Sequence, residues 1–263
     1  LLKYPLSTES KRLVKEFSYL VNNKFRSSPS ILKAFERILV APAPTFNVLN
    51  EMMNTGFLVK YIPEFHNVSN RIQYDEYHLY PVDKLLLRTV KTIKKFGSSR
   101  DNSLEPLCDT IYKEIKNKKP LLWAALLHDI GKGESDEDHA KKGSAIVKRI
   151  LKSKGLNKKD IDTVGFLVEE HLTLIKTATR RDIHDEETAI FCARKIKDVR
   201  RLKMLYLLTV ADSISTGPMA WNDWIATLLR DFFLKVLNVL EKGELATEEA
   251  IKVIEQRRED VIA

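Results

Sequence analysis

The run Leu121-Leu122-Trp123-Ala124-Ala125-Leu126-Leu127 carries no charged group, and it leads directly into His128-Asp129-Ile130-Gly131-Lys132. A span of the bilayer needs about 20 apolar residues, so this run belongs in a protein core. Leu and Ala dominate it and no β-branched residue precedes Ile130, which predicts helix rather than strand. Pro120 suits the first turn of that helix, and Gly131 is a natural stop. The element would therefore be buried on all sides and would deliver an imidazole and a carboxylate at its C-terminal end. Burying such a pair is costly unless something binds it. Together the two groups suit a divalent cation: zinc, iron, manganese or magnesium. A single His-Asp pair also has an ordinary reading, in which the two side chains are solvated or bonded to each other.

Composition narrows the class. With 263 residues, 44% of them hydrophobic, the chain can bury a sizeable core, as one large domain or two small ones. Nine Gly and nine Pro, against abundant Leu, Lys, Glu, Ala and Ile, predict an all-α protein. Cys108 and Cys192 lie far apart and make no disulfide framework, so a reducing compartment is expected. No secretory signal or membrane span is legible, and a cytoplasmic location follows as the expectation. The chain begins with Leu1, which suggests a piece of a longer protein. A net charge of +8 permits a phosphate or nucleic-acid partner. The basic residues are scattered among acids, however, as on solvated helix faces, and nucleic-acid binding is not expected.

Apolar spacing predicts one amphipathic helix from Ser7 to Phe25 with a buried stripe at Leu13, Phe17, Leu20 and Val21. Further helices are expected at Ile31–Leu39, Phe46–Met53, Pro81–Phe96, Leu104–Ile115, Ala140–Lys152, Asp160–His171 and Glu186–Lys195, and from Trp221 to Leu240. Thr177–Asp182 reads as a polar loop with paired arginines. A second strongly apolar helix, Leu202–Val210, leads to Ala211-Asp212 and so echoes the central element: a buried helix presenting an acid. His66 and His184 read as surface residues. No internal repeat or linker is evident. Residues 1–66 are taken as a helical scaffold and 67–263 as the domain that carries the chemistry.

His78, His128, His139 and His171 lie near expected helix ends, and Asp129 and Asp212 are tied to buried helices. This order resembles the HD superfamily of metal-dependent phosphohydrolases, an all-α helical bundle. Its pattern is a His on one helix, a His-Asp pair on the next, two further His in members that hold two metals, and a distant Asp. The flanking text is similar to the central region of the bifunctional uridylyltransferase/uridylyl-removing enzymes of nitrogen signalling. The residues that carry the likeness are Tyr61-Ile62-Pro63-Glu64-Phe65, Tyr77-His78-Leu79-Tyr80-Pro81-Val82-Asp83, His128-Asp129-Ile130-Gly131-Lys132-Gly133, Asp138-His139, Thr177-Ala178-Thr179-Arg180-Arg181-Asp182, Leu208-Thr209-Val210-Ala211-Asp212 and Trp221-Asn222.

The resemblance implies a phosphodiesterase that removes UMP from a tyrosine of a PII-type signal protein. It also implies a longer chain with a nucleotidyltransferase domain and ligand-sensing domains. It implies one or two divalent metals held by His128, Asp129, His139, His171 and Asp212. Asp129, with two oxygens, is the candidate bridge between them, and His139 and His171 would complete the second site. Lys132, Arg180 and Arg181 are candidates to neutralise the phosphate, and His78 to meet the substrate. One departure stands out. The family reads Val-Asp-Glu-His at the first ligand, whereas this chain reads Val82-Asp83-Lys84-Leu85. Leucine cannot coordinate a metal, and Lys84 adds a positive charge where the family has an acid. Three ligands can still suffice for an open catalytic site. The competing expectation is a weakened or inactive HD module that regulates or docks a nucleotidyltransferase.

Overall fold

The computed structural model describes residues 5–42, 48–72, 79–97, 105–134, 138–183 and 185–243. Every extended element among the described residues is helical, with no strand, in keeping with the all-α expectation. In chain order the helices are α1 (Thr8–Glu16), α2 (Asn23–Arg26), α3 (Pro29–Val40), α4 (Val48–Asn54), α5 (Phe57–Tyr61), α6 (Val82–Lys95), α7 (Pro106–Glu114), α8 (Lys119–Leu127), α9 (His139–Ser153), α10 (Lys158–Glu170), α11 (Thr173–Arg180), α12 (Glu186–Ile196), α13 (Val199–Thr216) and α14 (Asp223–Lys242). No described helix is long and apolar enough to cross a membrane.

The central run forms α8, and every residue from Pro120 to Leu127 is buried. It is apolar on all faces because helices surround it: α6, α10 and α13 pack on it, and α3 covers it from the N-terminal region. The rings of Phe35 and Trp123 lie 5.0 Å apart, and those of Phe35 and Tyr61 4.8 Å apart. Glu36, buried beside them, accepts from Lys119 Nζ at 2.6 Å and faces the Trp123 indole N–H at 3.4 Å. The N-terminal scaffold thus shares one continuous core with the central helix.

Two expectations need correction. The helix expected from Ser7 to Phe25 is broken into α1, a 3-10 turn at Phe17–Leu20 and α2, capped by Ser7 and by Asn22. Its apolar stripe is not buried: Phe17 is 45% and Leu20 54% exposed, and only Val21 enters the core. An amphipathic pattern shows which face is apolar but not that the described residues cover it. Likewise most of the polar stretch from Thr177 is helical, forming the second half of α11, which buries Leu174 and Ala178 one turn apart and leaves Thr179 and Arg180 exposed.

Candidate metal centre

The site is assembled where α8 ends. His128 caps it with helical backbone angles, and its Nδ1 lies 3.1 Å from Ala125 O, one turn back. The chain then leaves the helix at Asp129 and tightens into a 3-10 turn, Ile130–Gly133. That turn brings Lys132 back over Asp129, with Nζ 2.7 Å from Oδ2, both side chains buried. Gly131 is required for a different reason than the expected helix stop. A Cβ there would lie 2.0 Å from the carbonyl oxygen of His139 and 2.7 Å from the Gly143 nitrogen. Only glycine lets the first turn of α9 rest on the 3-10 turn, and that contact places His139, the first residue of α9, beside Asp129.

His171 arrives from the other side. It caps α10, is 1% exposed, and its Nδ1–H donates to Val168 O at 2.7 Å. The bond leaves Nε2 with its lone pair toward the site, the arrangement found at metal-ligating imidazoles. The Thr209 hydroxyl of α13 donates to His171 O, tying the two helices together. Asp212 lies within α13, four residues before its end, rather than beyond a helix terminus.

The geometry divides the five expected ligands in two. Asp129, His139 and His171 offer ligand atoms that all lie within 4.8 Å of one another. Asp129 Oδ1 stands 3.4 Å from His139 Nε2 and 3.5 Å from His171 Nε2. Two bonds of about 2.1 Å meeting at a tetrahedral angle end about 3.4 Å apart, so these separations are those of ligands around one cation. Asp129 Oδ1 is buried and accepts no hydrogen bond among the described residues, which leaves a carboxylate oxygen aimed at that point. The donor set therefore fits a divalent metal.

The other two residues pair with each other. His128 Nε2 lies 3.1 Å from Asp212 Oδ1 and 3.6 Å from Asp129 Oδ2. Burial alone would push the His128 imidazole toward its neutral form. The charges of Asp212 and Asp129 and the hydrogen bonds to Asp212 and Ala125 outweigh that and raise its pKa to about 9. Burial would likewise raise both carboxylates. For Asp129 the charges of Lys132 and His128, together with His171, reverse this and hold the group well below the usual range. For Asp212 the charge and hydrogen bond of His128 do the same.

Arg180 and Arg181 are exposed at the C-terminal end of α11. Arg181 stands 5.9 Å from the Phe191 ring centroid. His66 is exposed, as expected, while His78 and His184 fall outside the described residues. Leu85 is buried on α6, and it alone among the described buried apolar residues stands outside the continuous core cluster. Gly143, whose nitrogen lies against the Gly131 position, serves the site without any sequence signal beyond its being a glycine.

Residues 87–217 match the HD domain family, a match that holds all five ligand candidates and opens two residues past Leu85. A bifunctional uridylyltransferase/uridylyl-removing enzyme of Methylococcus capsulatus is 34% identical over 232 residues, 88% of this chain and 26% of that protein. Those of Chromobacterium violaceum and Vibrio cholerae are 36% and 35% identical, over 87% and 84% of the chain and 27% and 25% of theirs. The chain thus spans about a quarter of the length of the curated relatives it matches. With the buried His-Asp pair at the end of α8 inside the match, residues 87–217 of the chain belong to the HD domain family, and most of the chain's length is similar to a segment of the bifunctional uridylyltransferase/uridylyl-removing enzymes.

Proposed function

We propose that this chain is a metal-dependent phosphodiesterase domain that removes UMP from a uridylylated PII-type signal protein. The observation that supports it is the buried triad of Asp129 Oδ1, His139 Nε2 and His171 Nε2 at the spacing of metal ligands. A divalent cation there would polarise a phosphoryl oxygen and lower the pKa of bound water. The chain's own residues do the rest. Val168 O fixes the His171 tautomer, and Gly131 seats His139. Lys132 supplies a buried positive charge beside Asp129, where a phosphate anion gains most from it. Arg180 and Arg181, on the exposed end of α11, meet the nucleotidyl group or the signal protein away from the bond that breaks. The relatives' names supply the reaction class, and nucleotidyltransferase and ligand-sensing domains in a longer chain would be its covalent neighbours.

A second reading is supported by Leu85 and by the exposed apolar side chains of the Phe17–Leu20 turn: an HD module that docks or regulates a nucleotidyltransferase without catalysing hydrolysis. UMP release from a uridylylated PII-type protein separates the two. The phosphodiesterase reading expects release with manganese present and none with chelator or in Asp129→Ala. No release from a manganese-loaded chain leaves the docking module.

A further inference from the structure

We infer that this centre takes a single divalent cation, on Asp129 Oδ1, His139 and His171, and that the neighbouring position between His128 and Asp212 is closed to metal by this chain's own side chains. The inference rests on the phosphodiesterase reading only in taking a metal to be bound at all.

The two oxygens of Asp129 have different surroundings. Oδ1 faces His139 and His171 and accepts no hydrogen bond among the described residues. Oδ2 is held by the Lys132 ammonium at 2.7 Å, and a cation bridging through that oxygen would have to displace or sit against a positive charge in a buried setting. The histidines differ in the same way. His171 uses Nδ1 on a backbone carbonyl and leaves Nε2 toward Asp129. His128 uses Nδ1 on Ala125 O but turns Nε2 to Asp212 Oδ1, so that the imidazole and carboxylate expected to share a metal are bonded to each other.

Leu85 completes the closure. It is 1% exposed on α6, the helix that packs on both α8 and α13, and it is the buried apolar residue that does not join the core. A side chain with no lone pair therefore occupies buried space next to the two helices that carry His128 and Asp212. The positive charge of Lys132 neutralises Asp129, and Leu85 offers no donor atom from the helix that packs on α8 and α13.

The test is manganese stoichiometry and affinity on the purified chain, by elemental analysis and by electron paramagnetic resonance, which distinguishes an isolated manganese ion from a coupled pair. One isolated ion per chain is expected. His171→Gln and His139→Gln should weaken manganese binding by more than about 100-fold, beyond what loss of an outer-shell partner does, whereas Asp212→Asn should stay within about 10-fold of wild type. Two ions per chain, a coupled signal, or loss of the metal in Asp212→Asn as complete as in His171→Gln would overturn the inference and leave the phosphodiesterase reading standing. No manganese on the wild-type chain would overturn both.

Discussion

His128 Nε2 and Asp212 Oδ1 lie 3.1 Å apart although 84 positions separate them, so one hydrogen bond joins the end of the central helix to α13. Both nitrogens of the ring face acceptors, which favours the imidazolium. This has a consequence for the metal-free protein. The folded pKa of His128, about 9, is above its ordinary 6.5, so the pair's stabilisation is complete below pH 6.5 and is lost as pH rises through 9. Denaturant unfolding in chelator should show wild type losing stability across that window. Asp212→Asn should lose much less, and the difference between the two proteins should shrink as pH approaches 9.

Lys132 and Asp129 form a buried pair at 2.7 Å, and removing one partner strands the other. Lys132→Met should destabilise the metal-free chain by roughly 3–5 kcal/mol. Manganese should restore more of the loss than it adds to wild type, since a cation again neutralises Asp129. Thermal melts of both proteins with chelator and with excess manganese measure this. Equal metal-induced shifts would mean that Lys132 and the metal do not answer to the same carboxylate.

At Gly131 even a methyl group meets the backbone of α9. Gly131→Ala should cost about 1–3 kcal/mol, as overpacking does, and should also weaken manganese binding because His139 moves with the helix. A variant that is destabilised but binds manganese like wild type would separate that contact from the positioning of His139.

That role illustrates which parts of the structure were legible in the sequence. The burial of α8 could be read from Leu121–Leu127 because an uninterrupted apolar run has no face to offer water. The His-Asp pair at its end could be read because so few polar groups follow such a run. Gly131 looked like a helix stop, since its real constraint comes from His139 and Gly143, which reach it only through the fold. The polar stretch at Thr177 hid half of α11 because Leu174 and Ala178 are a thin apolar stripe that only tertiary packing makes decisive. Five candidate ligands, and the grouping of Asp129 with His139 and His171, follow from the family pattern. The hydrogen bond that joins His128 to Asp212 depends on side-chain directions that spacing does not carry.

Leu85→His should behave as a conditional trade. Losing a buried leucine costs roughly 1.5–3 kcal/mol without metal. With manganese present the new imidazole can draw a cation toward His128 and Asp212, so the variant should gain more stability from metal than wild type does. Lys84→Glu in the same background should enlarge that gain by replacing a positive charge with a negative one. Melting curves with chelator and with excess manganese give both quantities. Identical metal gains in wild type and variant would place Leu85 away from the site.

The most direct test of the centre itself is anomalous scattering from manganese-soaked crystals of the chain. The account predicts one peak, bonded to Asp129 Oδ1, His139 Nε2 and His171 Nε2 at about 2.0–2.2 Å. A peak lying between His128 and Asp212, with the triad empty, would contradict it.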